Sequence, residues 1–191
     1  MENSVFLWGA IAILALLYIL YARIIGRRNG ALEALSGIDV QLKKRSDLIP
    51  NILIIAKKFM EHEMALLSEI TSLRESVDRG YDRKQPDAVI SHFDAAEQLA
   101  EKVGSLMVKV EAYPDLKSQE TMVQAQQSYN EVEAQISAAR RFYNTSVSEL
   151  NNSVQIFPGN MLARMVGVSA MPFYQADEQS RSPVNAAEIL Q

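Results

Sequence analysis

The fold is decided by the stretch LSGIDVQLKKRSDLIPNILIIA, residues 35–56, in which apolar residues recur at alternate steps of three and four. The same spacing continues for three more heptads, and only Arg45 and Glu63 interrupt it. An apolar stripe with this period is typical of a helix that packs against neighbouring helices. Because the phase is unchanged across Pro50, the pattern predicts one long helix with a kink at this proline, ended by Gly80.

The segment before this stretch has the composition of a membrane anchor. No charged residue occurs in residues 5–22, and Ile24 and Ile25 extend the apolar run past Arg23 to about 21 residues, enough to cross roughly 30 Å of hydrocarbon. A secretory signal peptide would need a positive stretch first and a small-residue cleavage site afterwards. Neither is present, so the sequence predicts a transmembrane helix.

The charges beside the apolar run predict its orientation. Arg23, Arg27 and Arg28 follow the run, and the positive-inside rule therefore puts the N-terminus outside and the remaining chain in the cytoplasm. The first 60 residues hold eight Lys and Arg against four Asp and Glu, whereas the rest of the chain is acidic. A basic region next to the membrane suits an anionic lipid surface, although ordinary surface charge is the alternative.

Three further helices are predicted from apolar stripes and from the residues that end them. They cover about residues 86–112, 118–156 and 160–166. Pro86 suits a first helical turn, Pro114 stops the first of these helices, and Gly167 closes the last. The long helices are joined by short turns and must therefore pack antiparallel.

The chain is accordingly predicted to be all-α, in three parts. Residues 1–26 form the N-terminal transmembrane helix, 27–170 an antiparallel bundle of long helices with a short C-terminal helix, and 171–191 a flexible tail. From the helix lengths, the turn at Tyr113 and Pro114 is expected near the Pro50 kink, and the last long helix is expected to end far from the membrane.

Arg45 stands at a core position of the apolar stripe, which gives it two interpretations. With Asp39 and Asp47 it could form a binding site, but an arginine at such a position usually pairs with a carboxylate of a neighbouring helix. The second interpretation is favoured, and Asp115, in the turn expected nearby, is the candidate partner.

The run around Pro50, which includes Leu53 and Ile54, is apolar on nearly every side. One stripe in a three-helix bundle cannot bury it, so either the short C-terminal helix or other copies of the chain must cover it. The expected distance favours other copies and predicts a homo-oligomer. The Met-rich segment from Met161 to Tyr174 is interpreted as a cap on the bundle's end, with an apolar clip for a protein or a membrane surface as the alternative.

The sequence carries no pattern that indicates catalysis. There is no Cys, and His62 and His92 lack the preceding glutamate that a di-metal bundle site requires, so both are expected on exposed faces. Phosphate-binding loops and the turn that presents a catalytic serine are also missing from the sequence. The acidic soluble part argues against nucleic-acid binding. We therefore expect no enzyme, no metal and no cofactor.

Several segments together resemble the LemA family. They are IDVQLKKRSDLIPN at 38–51, His62-Glu63, EAYPDLK at 111–117, AARRFYN at 138–144, and Phe157-Pro158 with the later Gly167. The resemblance implies a bacterial protein with one N-terminal membrane span before a helical bundle, and relatives in magnetosome membranes. It supplies no catalytic residues, and the chain departs from the family pattern after Phe173.

The predicted function is a homo-oligomeric scaffold or interaction protein at the bacterial inner membrane, which organises lipids or partner proteins without catalysis. The partners expected are the bilayer, further copies and unidentified membrane or cytoplasmic proteins. The alternative is an adaptor that recruits a membrane enzyme or protease. Its recognition surface would be Arg45–Asp47 with the Tyr113–Lys117 turn.

Overall fold

The computed structural model describes residues 2–175, with side chains from Phe6 onward. This part of the chain is helical and contains no β-strand. Its helices are α1 (Glu2–Lys57), α2 (Met64–Asp78), α3 (Pro86–Val110), α4 (Pro114–Lys117), α5 (Glu120–Gln155) and α6 (Gly159–Met165). The predicted all-α bundle is therefore confirmed, and α1, α2, α3 and α5 are its long members.

The anchor and the first bundle helix are one continuous element, α1. Its first four turns with described side chains, residues 6–19, are exposed and apolar, and it is long and apolar enough to cross a membrane. Burial begins at Ile24 and continues along one stripe through Ala31, Leu35 and Ile38. The stripe predicted from the sequence is therefore the face that the rest of the bundle covers.

The long helix does not continue to Gly80 as predicted. It passes through Pro50 but ends at Lys57, and a short 3-10 turn at Glu61–Glu63 leads into α2. In α2, Arg74 reaches back to Ser46 of α1, so the chain has reversed direction. The stripe keeps its phase across the reversal because both helices bury the same face, and the pattern alone therefore reads as a single helix.

Pro50 helps to dock α2 onto α1. A proline has no N–H, so the carbonyl oxygen of Ser46, four residues earlier, loses its usual helical donor. The Nε–H of Arg74 donates to that oxygen at 3.0 Å, and Ser46 itself is buried. Since a buried carbonyl left without a donor is costly, the proline frees an acceptor, and Arg74 of the returning helix donates to it.

α3 and α5 complete an up-and-down bundle of four long helices. α3 runs away from the membrane, from His92 beside Asp39 to Lys109 paired with Glu63. α5 returns along α1, and its last turns reach the level of Ile24. The expectation that the last long helix ends far from the membrane is therefore wrong, because the reversal after α1 adds one more crossing of the bundle.

The segment after α5 closes the membrane-side end of the bundle. α6 is packed through Gly159 and Ala163, and Gly167, at φ +67°, ends it as predicted. From Val168 the chain runs back along α5, where the side-chain amide of Asn151 donates to the Met171 carbonyl at 2.9 Å and accepts from its N–H.

This returning segment, residues 168–175, is called the strap. The side-chain amide of Asn144 makes the same pair of bonds with Tyr174, whose ring stacks on Phe93 at 4.0 Å. The tail boundary at 171 was therefore placed too early, since residues 171–175 are packed on the bundle. The rest of the predicted tail, 176–191, lies outside the described residues.

The apolar run around Pro50 is largely covered by the chain itself. α2 lies on one side of it and the start of α5 on the other, so that Leu48, Leu53 and Ile55 pack against the core. Only Ile54 remains mostly exposed among the large aliphatic residues of the run. The sequence analysis inferred other copies because one stripe could not bury this run. The hairpin of α1 and α2, which was not predicted, buries most of it within one chain.

Candidate functional site

Arg45 lies at the centre of the bundle and joins three helices. Its side chain is buried, with Nη2 donating to the carbonyl oxygen of Ala96 in α3 at 2.6 Å. Nη1 donates to Oε1 of Glu133 in α5 at 3.1 Å. The expected pairing with a carboxylate of a neighbouring helix is confirmed, but the partner is Glu133 and not Asp115. Asp115 lies on the exposed turn at the far end of the bundle.

A second layer of polar contacts surrounds this arginine. Arg140 pairs with Glu97 at 3.0 Å and lies 4.2 Å from the ring centre of Tyr174, a cation–π geometry. Burial raises the pKa of Tyr174 and of Tyr129 above the ordinary tyrosine value, so both hydroxyls stay neutral. Charge in this layer is therefore carried by paired arginines and glutamates, which align α1, α3, α5 and the strap.

The arrangement around Arg45 supports packing and offers no reactive group. Its two Nη atoms are already bonded within the chain, and the neighbouring tyrosines are held in their neutral form. Within residues 6–175, no group of three or more His, Cys, Asp and Glu side chains is placed to hold a metal ion. A buried ion pair of this kind sets the register of the helices that it joins.

Asp39 lies in a separate cluster at the α2–α3 connection. Its Oδ1 accepts from the Tyr81 hydroxyl at 2.8 Å, and its Oδ2 lies 2.7 Å from Nη2 of Arg83. Tyr81 in turn stacks on His92, with ring centres 4.1 Å apart. His92 is therefore not on an exposed face as expected: its side chain is only 8% exposed. His62 is exposed, as expected.

The three residues considered as one binding site point to different places. Asp39 faces the α2–α3 connection, Arg45 faces the core, and Asp47 faces solvent, where it pairs with Lys43 at 2.8 Å. Their proximity in sequence does not bring their charged groups together, because neighbouring positions on a helix project about 100° apart.

The other predicted interaction residues are spread along the bundle. Pro50 is half-buried, Leu53 packs against the core, and Ile54 is exposed at the α1–α2 edge. Tyr113 is half-buried and belongs to the distal turn. That turn lies near the α1–α2 reversal, about 12 Å farther along α1 than Pro50, and not at the kink.

The basic residues near the membrane lie beside the end of α5. Arg27 forms an ion pair with Glu149, whereas Arg23 and Arg28 have no carboxylate partner among the described residues. A pocket of about 350 Å³ opens here between α1 and the α5–α6 connection. Its wall combines Arg23 and Arg27 with apolar residues of both segments.

The strap contacts were missed in the sequence. Asn144 and Asn151 are seven residues apart and so lie on the same face of α5. The side-chain amide of each donates to a backbone carbonyl of the strap. Two asparagines at this spacing among apolar positions were an available signal. Glu133 carried none, since nothing in its surroundings marks it as the carboxylate that faces Arg45.

The chain also matches known proteins by sequence. The sequence profile of the LemA family covers residues 34–187. The chain belongs to the LemA family. Protein LemA of Metamycoplasma hominis is 24% identical to it over 196 aligned positions, which cover 98% of this chain and 85% of that protein. Magnetosome proteins MamQ 1 and MamQ 2 of Paramagnetospirillum magneticum are each 29% identical over 89 residues, 47% of this chain and 33% of theirs.

Family membership confirms the resemblance drawn from residues 38–51 and the other quoted segments. Together with the exposed apolar start of α1, it makes this LemA family protein a membrane-associated one. LemA family proteins are not known as enzymes.

Proposed function

We propose that this LemA family protein is a rigid, membrane-anchored scaffold that assembles with further copies of itself at the bacterial inner membrane, without catalysis. The observation that carries the proposal is the course of α1. This helix of 56 residues, about 84 Å long, runs without a break from the apolar segment into the bundle's core. At that core both Nη atoms of Arg45 are bonded to neighbouring helices.

The support for rigidity is the pairing of α1 with α5. The two helices are joined near the membrane by Arg27 and Glu149 and half-way along the bundle by Arg45 and Glu133. The two pairs hold α1 against α5 from just after the apolar segment to the middle of the bundle. We infer that the bundle is held at a fixed height and direction relative to the membrane. A scaffold requires such a fixed position, whereas catalysis does not.

We place the bundle in the cytoplasm and the N-terminus outside, with a single span, because Arg23, Arg27 and Arg28 follow the apolar segment. The chain has no native cysteine, so Val108→Cys supplies a unique label site on the bundle. A maleimide that cannot cross membranes should label it only after the inner membrane is permeabilised. Labelling in intact spheroplasts would contradict this orientation.

Self-association is proposed through the outer edge of the α1–α2 hairpin. Ile54, 60% exposed, and Met64 border a shallow apolar groove of about 200 Å³ there. Singly exposed apolar residues are normal, but a groove with two of them at its rim is a surface that a second copy could cover. In a two-fold contact the same groove would be buried on both copies.

The mass and image of the full chain in mild detergent test this assembly. The natural chain is expected to be larger than a monomer, and Ile54→Glu is expected to reduce the mass. Val108→Glu, at a valine on α3 that is 74% exposed, is the matched control and should leave the mass unchanged. A monomer at every concentration would refute the scaffold proposal in this form.

The adaptor remains a second candidate, restricted to the turn Tyr113–Lys117. Because Arg45 is buried, it cannot meet a partner, whereas Pro114, Asp115 and Lys117 of this turn are exposed at the end of the bundle farthest from the membrane. Asp115→Ser combined with Lys117→Ser, which changes exposed residues and keeps the buried Leu116, tests the candidate. Loss of co-purifying membrane proteins with unchanged oligomer mass would favour the adaptor, and unchanged co-purification would exclude it.

A further inference from the structure

The end of the bundle that faces the membrane carries an unusual surface. α5 ends where α1 leaves its apolar segment, so the connection Ile156–Pro158 and α6 lie beside Leu20 and Ile24. The strap then runs back along α5, away from the membrane. Residues 156–165 are therefore the part of the bundle nearest to the membrane, at the level where the anchor enters the bilayer. We call them the membrane-side segment.

The two faces of the membrane-side segment differ in burial. Gly159 and Ala163 are buried against α1 and α5. The outer face carries large apolar side chains that nothing in the described chain covers: Ile156, Phe157, Met161 and Met165. Phe157 is 73% exposed and Met165 is 83% exposed. Met161 and Met165 are four residues apart and share one face of α6, and Ile156 and Phe157 stand just before this helix, so we treat the four as one patch.

The depth of this patch follows from its neighbours on α1. Leu20 belongs to the apolar segment and lies about five residues, or roughly 7 Å, inside its end at Ile25. Phe157 lines the same pocket as Leu20. Since the anchor positions Leu20 within the apolar part of the bilayer, Phe157 is brought to the boundary between headgroups and acyl chains.

The charges around the patch fit this location. Arg23 and Arg28 on α1 and Arg164 on α6 have no carboxylate partner among the described residues. An apolar face flanked by free cations is the composition of segments that lie in the interface plane of a membrane. The cations would meet anionic headgroups while the apolar side chains enter the boundary below them.

We propose that the membrane-side segment is a second membrane contact, which inserts its outer face into the bilayer leaflet on the bundle's side and binds anionic phospholipids. The contact is continuous with the anchor and fixes the bundle's tilt at two points. This contact rests on the proposed anchor and not on self-association. The depth of a label in the bilayer therefore tests the contact, whereas the oligomer mass tests self-association. The sequence analysis interpreted Met161–Tyr174 as a cap on the bundle's end, and Ala163, Val168 and Tyr174 of that stretch are buried. The outer face of the membrane-side segment is free for lipid.

Spin labels in the full chain, reconstituted into vesicles, test the contact. Met165→Cys and Met161→Cys each place one nitroxide on the patch, because the chain has no other cysteine. Val108→Cys is the matched control, 74% exposed and about 50 Å farther from the membrane. The ratio of oxygen to water-soluble nickel collisions is measured, since oxygen enters the bilayer and the nickel complex does not.

The expected ratio at both patch positions is several-fold higher than at Val108. Equal ratios would overturn the proposal, because they would place the patch in water. Slow collisions with both reagents at Met165 would also overturn it, since they would indicate a protein partner or a second copy on the patch.

Lipid composition separates the anionic headgroup from the bilayer in general. Vesicles of phosphatidylcholine alone and with phosphatidylglycerol are compared, for the natural sequence and for Arg164→Gln, each with the Met165 label. The ratio is expected to rise with phosphatidylglycerol and to rise less in Arg164→Gln. An equal ratio in both lipids would overturn the headgroup part of the proposal.

Discussion

Arg74 and Pro50 lie on different helices, and we expect their contributions to stability to be coupled through the Ser46 carbonyl. Arg74→Met removes the Nε–H that donates to that buried oxygen, at a cost of about 2 kcal/mol. Pro50→Ala restores the backbone N–H, which can then donate to the same oxygen within α1. In that background Arg74→Met should cost only about 0.5 kcal/mol, so that the coupling energy is about 1.5 kcal/mol.

Thermal unfolding of the full chain in mild detergent, followed by circular dichroism, measures this cycle. A coupling of about 1.5 kcal/mol corresponds to a difference of about 3–6 °C between the two shifts in melting temperature. The 3.5 Å ion pair between Arg74 and Asp78 is lost in both backgrounds and cancels in the cycle. Equal shifts in both backgrounds would refute the account of Pro50 as the residue that creates this acceptor.

Four further results are expected. Arg45→Met should lower stability by about 2–4 kcal/mol in urea unfolding, because it leaves a carboxylate and a carbonyl unpaired, and no loss would contradict a register role. Asn151→Ala should cost about 2 kcal/mol by freeing the strap, which proteolysis would detect. Gly159→Ala should destabilise by about 1–3 kcal/mol, because a Cβ there would lie 2.1 Å from a carbonyl oxygen of α5, whereas Gly104→Ala meets open space and serves as its control. Burial raises the pKa of Tyr143 above its usual value of about 10, so the native state keeps a proton that the unfolded state loses. Stability is therefore full below pH 10 and should fall as pH rises above it, less steeply in Tyr143→Phe when unfolding is compared at pH 9 and 11.

Local patterns were sufficient for the helices that end at strong signals. α3 begins at Pro86 as predicted, and Gly167, the described glycine with positive φ, stands two residues after the end of α6 at Met165. These boundaries depend on a ring that fixes φ and on a residue without a Cβ, so neighbouring residues alone determine them.

The reversal after α1 carried no such signal. Residues 57–63, KKFMEHE, contain neither proline nor glycine, and Met60 is buried within the turn. The stripe runs through the turn in phase because α1 and α2 both present it to the same core. Periodicity reports which face is buried and not the direction of the chain, so one helix and a hairpin have the same pattern.

The partner of Arg45 depended on that reversal. An arginine at a core position indicates a carboxylate on a neighbouring helix, and this part of the prediction was correct. Which carboxylate it meets depends on how α5 lies against α1, and with a missing helix the register pointed to Asp115 and not to Glu133. The membrane-side segment was placed at the wrong end for the same reason. With three long helices the last one ends far from the membrane, whereas with four it ends near the membrane.

The sequence by itself therefore determined the anchor, the helical class, the buried faces and the family. These follow from composition, from periodicity and from residues with special backbone geometry, all of which act over a few neighbouring positions. Only the tertiary structure decided the number of crossings, the partners of Arg45 and Ser46, and the return of α6 to the membrane. Each of these joins residues more than 20 positions apart, and their meeting is settled by how whole helices pack against one another.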